Sequence, residues 1–275
     1  MVQKSIIETV TLRVADIARS RQFYEEVVGL QTLTSQGEQV RMGVGDKELL
    51  VLLESPDALR RAKDEAGLFH IAFRVPDQAA LGDALRRVQR HHRLTGASNH
   101  KISHALYLDD PEGNGLEIYY DRPRDEWPID ARGRLRLATQ RLDLERLLET
   151  APSEQPGQFP EGTDVGHIHL EVVDLDQAHR FGTELLGLDV MVHEPSVSFV
   201  SANDYHHHIG LNRWNRRRRP RNTSSLGLVS VRLALPDQDG DTLLTKARTM
   251  SIDIHRHNGE VQLEAANNLR WVLRA

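Results

Sequence analysis

The stretch His167-Ile-His-Leu-Glu-Val-Val-Asp174 reads as a β-strand that runs directly into a helix cap. A two-residue period puts His167 and His169 on one strand face. Asp174 suits an N-cap, because its carboxylate accepts from the free N–H groups of a following helix. The same pattern stands at Thr9-Val-Thr-Leu-Arg-Val-Ala-Asp16, at His70-Ile-Ala-Phe-Arg-Val-Pro-Asp77 and at Ser230-Val-Arg-Leu-Ala-Leu-Pro-Asp237. Each copy takes the same seven-residue step from its first residue to its Asp, so the chain is an internal repeat of four modules.

Working outward, the helices are clearest in the odd modules. The pattern predicts one from Ile17 to Val28 ending at Gly29, and one from Leu175 to Leu186 ending at Gly187, with glycine at the C-cap in both. Phe23, Tyr24 and Val27, like Phe181, Leu185 and Leu186, fall at helical spacing and read as core. Short β-rich runs follow, at Glu48–Leu53, Ala105–Leu108, Leu116–Tyr120 and Ser196–Val200, and Pro111-Glu-Gly-Asn-Gly115 is a tight turn between two of them. Residues 121–163 differ in kind. A charged amphipathic helix is expected over Arg134–Glu149, followed by Pro152, Pro156, Gly157, Pro160 and Gly162, which reads as a connector. The chain then divides into modules one and two (1–125), the connector (126–162) and modules three and four (163–275).

Composition narrows the chemistry. The 275 residues suffice for two ordinary cores, with 39% hydrophobic and 27% charged residues. A formal charge of -5 gives no general attraction to nucleic acid or anionic lipid. No run of about 18 apolar residues or apolar leader stands out, so neither a membrane span nor export is expected and the default location is cytoplasmic. With no cysteine, thiolate metal sites and a cysteine nucleophile are excluded, leaving imidazole and carboxylate as the strong ligands. The basic run Arg216-Arg217-Arg218-Arg219, flanked by Arg213 and Arg221, reads as a solvated loop, or as a loop over a site where one arginine meets an anionic substrate.

These repeats, the helix signature Asp174-Leu-Asp-Gln-Ala-His-Arg-Phe and the run Asp110-Pro-Glu-Gly-Asn-Gly-Leu-Glu117 resemble the vicinal-oxygen-chelate superfamily. It includes glyoxalase I, the bleomycin-resistance proteins and the type I extradiol dioxygenases. Gly96-Ala-Ser-Asn-His with Ala105-Leu-Tyr-Leu, and Tyr205-His-His-His-Ile-Gly-Leu-Asn, are most similar to its two-domain catechol 2,3-dioxygenase-like branch. The resemblance implies an α+β fold of four βαβββ modules forming two half-barrel pairs.

It also implies a ligand set, on the first and last strands of paired modules. The first-strand position holds Thr9, His70, His167 and Ser230 in turn. The last-strand position holds Glu117 in module two, falls on Trp271 in module four, and is apolar in module one around Leu49–Leu53. The resemblance therefore implies a metal held by His70, Glu117 and His167, which requires module two to pair with three and module one with four. Two imidazoles and a carboxylate suit Fe(II) in a facial site, with Mn(II), Zn(II) or Ni(II) as alternatives. His169 shares the strand face of His167 and is placed behind the ligands.

For extradiol chemistry the resemblance implies His207 as acid/base, since His207-His208-Ile209-Gly210 matches a strand of those enzymes, and strand alternation then turns His206 and His208 away. Tyr107, ten residues before Glu117, matches their active-site tyrosine. His100 matches an additional histidine once two residues are taken as missing. His104 stands where relatives usually carry glutamate, which bears on substrate preference, and Tyr205 is placed beside the substrate. His91-His92 and His255-Arg-His257 are assigned nothing. The expected partners are a small aromatic substrate and O2, with a homo-oligomer allowed and no nucleic acid or membrane. Two other readings stand beside this ring-cleaving one: a glyoxalase- or isomerase-type metalloenzyme, and a non-catalytic small-molecule binder.

Overall fold

The structure, a computed structural model, describes residues 5–131, 135–136, 138–235, 240–257 and 260–274. Module one comprises β1 (Ile7–Val14), α1 (Ile17–Phe23), β2 (Gln31–Gln36), β3 (Gln39–Val44) and β4 (Lys47–Glu54). Module two comprises β5 (Gly67–Arg74), α2 (Gln78–His91), β6 (Gly96–Asn99), β7 (Ser103–Asp109) and β8 (Gly115–Asp121). The connector adds β9 (Gln140–Arg141) and α3 (Leu144–Glu149). Module three comprises β10 (Asp164–Glu171), α4 (Leu175–Arg180), β11 (Asp189–Glu194), β12 (Val197–Ser201) and β13 (Ile209–Asn212). Module four comprises β14 (Gly227–Leu233), α5 (Gly240–Thr249), β15 (Asp253–His257), β16 (Glu260–Ala265) and β17 (Leu269–Arg274). Among the described residues no helix is long and apolar enough to cross a membrane.

Local chemistry sets these boundaries. Asp16, Asp77 and Asp174 each cap a helix, accepting from the backbone N–H of Arg19, Ala80 and Gln177. The fourth expected cap, Asp237, lies outside the described residues. α1 and α4 each widen into a π turn, Tyr24–Val28 and Phe181–Leu185. The chain leaves the first of these through Gly29 at φ 100°, a left-handed conformation that glycine adopts without steric cost.

The connector departs from expectation. The helix expected over Arg134–Glu149 occupies only Leu144–Glu149. Asp143 accepts from the Arg146 N–H and so starts the helix there. Ahead of it, Gln140 and Arg141 pair with Asn99 and Ser98 as an edge strand, and Leu135 bridges Ile129. Arg134 and Leu137 lie outside the described residues.

Module pairing follows the ligand distribution. One sheet runs β15-β16-β17-β14-β1-β4-β3-β2 and joins modules four and one; the other runs β11-β12-β13-β10-β5-β8-β7-β6-β9 and joins three and two. The seams are antiparallel, β1 with β14 and β5 with β10. Alternation sorts the two faces of the second seam. Ile71 and Phe73 of β5, with Ile168 and Leu170 of β10, enter an apolar core that also holds Leu12 and Leu233 from the other sheet. His70, His167 and His169 face the other way, into a cavity.

Asp110 ties the turn after β7 to module one. Its Oδ1 accepts from the backbone N–H groups of Glu112 and Asn114, and its Oδ2 from Tyr24 Oη and Asn114 Nδ2, all at 2.8–2.9 Å. Removing a buried acceptor strands its donors away from water. Asp110→Ala is therefore expected to lower unfolding stability by about 3 kcal/mol, read from the urea midpoint at unchanged slope. A change under about 0.5 kcal/mol would contradict this account.

Candidate metal centre

Three strands bring the candidate ligands to one point: His70 from β5, Glu117 from β8 and His167 from β10. His70 Nε2 lies 3.1 Å from Glu117 Oε2 and 3.2 Å from His167 Nε2, and the third side, His167 Nε2 to Glu117 Oε2, is 3.2 Å. All three side chains are buried. Donor atoms at right angles on bonds of about 2.1 Å stand about 3.0 Å apart, whereas tetrahedral angles give about 3.4 Å. The observed triangle falls within that span, so one ion could meet all three donors.

The electrostatics fit a cation as well. Burial pushes the Glu117 carboxyl up, but His167 and His70 outweigh it and hold it well below the usual range, so it is ionised. Burial lowers His167 to about 4, and holds it in the neutral form that ligates metals. Two imidazole nitrogens aimed at each other and at one carboxylate oxygen are poorly satisfied by protons alone. The Nδ1 of His167 is buried without a hydrogen-bond partner among the described residues. It therefore lacks the outer hydrogen bond that commonly orients a ligating histidine.

The register shows why the set stops at three. In module two, Ala72 pairs with Glu117 two residues after His70. The corresponding pair two residues after His167 is His169 with Gly210. Glycine thus occupies the place where a fourth ligand would stand. A Cβ at Gly210 would come within 2.9 Å of the His169 ring, so the missing side chain is also what lets that ring pack there. In the other half-barrel the corresponding four positions hold Thr9, Ser230, Val51 and Val272, none of them a strong ligand. Val272 corrects the expectation of Trp271 at that position.

The ligands form one wall of a cavity of about 720 Å3. Tyr107, His100, His169 and His207 all line it. Tyr107 Oη is 2.8 Å from His100 Nε2, and burial, then the charge of Glu117, raises the phenol well above its usual range. His207 stacks on Phe199, with centroids 4.5 Å apart, and lies 4.2 Å from the His167 ring. Burial first, then the neighbouring imidazoles, holds it well below the ordinary histidine range.

Other residues fall elsewhere. His104 lies on the opposite face of β7, against Tyr120 in a separate cleft, because its odd three-residue step from Tyr107 reverses the side. Tyr205 is buried behind the cavity wall, where its hydroxyl donates to Asp121. His206 corrects the alternation argument, since it lines the cavity beside His207 while only His208 turns away. There His208 Nδ1 accepts from the backbone of Ala202. Alternation fails because β13 begins only at Ile209; Asn203 and Asp204, at φ 58° and 56°, form a turn just before the histidines.

The arginine loop does not present a guanidinium to the cavity. Arg217 pairs with Glu171 at the end of β10 and Arg219 with Asp64 just ahead of β5, pinning the loop across the mouth of that seam. Its contribution to the cavity is Trp214, which packs edge-on against Phe69 and His169. Nothing in the residue spacing marked that tryptophan.

Known proteins share both the sequence and the fold. A family model described as the Glyoxalase/Bleomycin resistance protein/Dioxygenase superfamily matches residues 6–118. The chain is 42% identical over 233 residues to a catechol-2,3-dioxygenase of Bacillus subtilis (strain 168), covering 83% of this chain and 82% of that protein. Among solved structures, glyoxalase I from Zea mays superposes with a TM-score of 0.61 at 15% identity, over 97% of this chain and 91% of its own. The cppA protein from Streptococcus pneumoniae TIGR4 gives 0.62 at 12% identity, over 98% of each. At such identities these two structures speak for the fold alone.

Proposed function

The chain belongs to the glyoxalase/bleomycin resistance protein/dioxygenase superfamily, and from that premise we propose that it is a metal-dependent, extradiol-type dioxygenase that opens the ring of a catechol-like aromatic diol. The observation that carries the proposal is the buried His70–Glu117–His167 triangle, open on its cavity side because Gly210 replaces a fourth ligand. The 42% identity to a catechol-2,3-dioxygenase supports the choice of reaction. A glyoxalase-type reading would call for a second carboxylate at the Gly210 position, and none stands there.

Fe(II), held by His70, Glu117 and His167, would supply Lewis acidity to both diol oxygens and a binding place for O2; Mn(II) suits the same donors, and Zn(II) or Ni(II) would suit the non-oxidative relatives. The chain does the rest. Neutral His207 takes a hydroxyl proton, which the low basicity of a diol makes necessary for tight chelation. Tyr107 keeps its own proton and donates a hydrogen bond into the cavity, with His100 holding its hydroxyl in place. Phe69, Phe199 and Trp214 give an apolar wall that accepts an aromatic ring and excludes water.

The test is direct. Protein loaded anaerobically with Fe(II) is expected to consume O2 and form a yellow ring-fission product with members of a catechol panel. A fully iron-loaded sample that leaves the oxygen trace flat and the solution colourless would overturn the assignment. Tyr107→Phe is expected to lower kcat by about 10- to 100-fold, the worth of one hydrogen bond to a charged group. Its iron content should stay at the wild-type level, checked by elemental analysis of the same sample.

A further inference from the structure

We propose that Asp121 and His206 are positioning residues that set the tautomer of His207, placing its proton on Nδ1 and leaving Nε2 bare toward the cavity. The inference rests on the reading of His207 as the base, and it concerns what makes that ring a base.

The chain of contacts has a fixed polarity. Asp121 closes β8, four residues beyond Glu117, and its Oδ1 lies 2.9 Å from His206 Nε2. Its Oδ2 accepts from Tyr205 Oη at 2.8 Å and from Arg74 Nη1 at 3.2 Å. A carboxylate can only accept, so His206 must carry its proton on Nε2. In the neutral ring Nδ1 is then an acceptor, and it lies 2.8 Å from His207 Nδ1. Two ring nitrogens at that separation share one proton, which must sit on His207. The remaining nitrogen of His207, Nε2, is left with a lone pair. This is how a histidine's outer hydrogen bond selects the nitrogen that does chemistry.

The anchor of the chain is rigid. Arg74 donates to both oxygens of Asp164, at 3.0 and 2.7 Å, and so cannot swing away from Asp121. Tyr205 is fixed in turn by Tyr119, hydroxyl to hydroxyl at 2.7 Å. Arg74 has no acceptor atom, which gives a sharp prediction for Asp121→Asn. The amide oxygen must face Arg74, so the amide NH2 faces His206 Nε2 and donates to it. Every proton in the chain then inverts: His206 carries its proton on Nδ1, and His207 carries its own on Nε2, where it blocks the lone pair.

The experiment is 15N NMR on metal-free, 15N-histidine-labelled protein, with the His207 signals assigned by their loss in His207→Phe. The Nδ1–H tautomer is expected for His207 in the wild type and the Nε2–H tautomer in Asp121→Asn, while Asp121→Glu, which keeps an acceptor, restores the wild-type pattern. If Asp121→Asn does not fold, His206→Phe is used instead, and should leave His207 as a tautomer mixture. In metal-loaded protein Asp121→Asn is expected to cost about 10- to 100-fold in kcat with KM unchanged. A His207 tautomer identical in all variants overturns the proposal. The NMR outcome holds whether or not the wild type cleaves a diol, so failure of the dioxygenase reading and failure of this one are told apart.

Discussion

His167→Ala protein, purified without a chelating tag, is expected to hold no metal above background, and its ring-cleaving turnover should fall by more than about 100-fold. Loss of a mere outer partner of a ligand commonly costs 10- to 100-fold in metal affinity, and a ligand itself must cost at least that much. His167 Nε2 stands 3.2 Å from each of the other two donor atoms. It is also the only ligand from module three, so its removal leaves His70 and Glu117, both from module two, with no donor across the β5–β10 seam. Elemental analysis gives the first readout. Linkage gives a second that needs no activity: a metal at 100 times its Kd stabilises the fold by about 2.7 kcal/mol. Wild-type protein should therefore melt higher with added Fe(II) under anaerobic conditions, and His167→Ala should not. His91→Ala, at the end of α2, should respond as the wild type does. A His167→Ala protein that keeps its iron would remove the basis of the metal assignment.

The same seam shows what the sequence made legible. Four copies of a strand ending on Asp are a local signal, and local signals survive without tertiary information. The pairing of modules two and three was also legible, because only that pairing gathers two histidines and a glutamate, and the sheet order agrees. What escaped depends on where a strand starts. His206 reads as turned away only if β13 is extended back through it, and the left-handed Asn203–Asp204 turn prevents that. That Asn-Asp pair is itself a turn signal. His104 was misplaced for the opposite reason, since alternation from Tyr107 already turns it outward. The connector's charged periodicity suggested a helix of four turns, but Asp143 starts it late, and edge pairing with β6 takes the residues just before the cap. Trp214 in the cavity was not legible at all. A loop pinned by Arg217 to Glu171 and by Arg219 to Asp64 puts it there, and such pairings across more than forty residues leave no mark on local pattern.

His207→Phe is expected to lower kcat by about 100- to 10,000-fold, the range for loss of a general base, while the protein keeps its metal and its fold. Phenylalanine preserves the ring that stacks on Phe199 and faces His167, so packing of the cavity wall changes little. What disappears is the Nδ1–Nδ1 contact that joins His207 to His206 and, through it, to Asp121. Substrate affinity should weaken less than turnover, since the ligand triangle and the apolar wall of Phe69 and Trp214 remain. Single-turnover measurements against anaerobic substrate titration separate the two effects. The size of the loss also orders the site. If Asp121 and His206 act only through His207, then His207→Phe must cost more than Asp121→Asn, and adding Asp121→Asn to His207→Phe must cost almost nothing further. A double variant clearly slower than His207→Phe alone would mean that Asp121 serves the reaction by some other route. Loss of metal in His207→Phe would mean that the ring belongs to the ligand set.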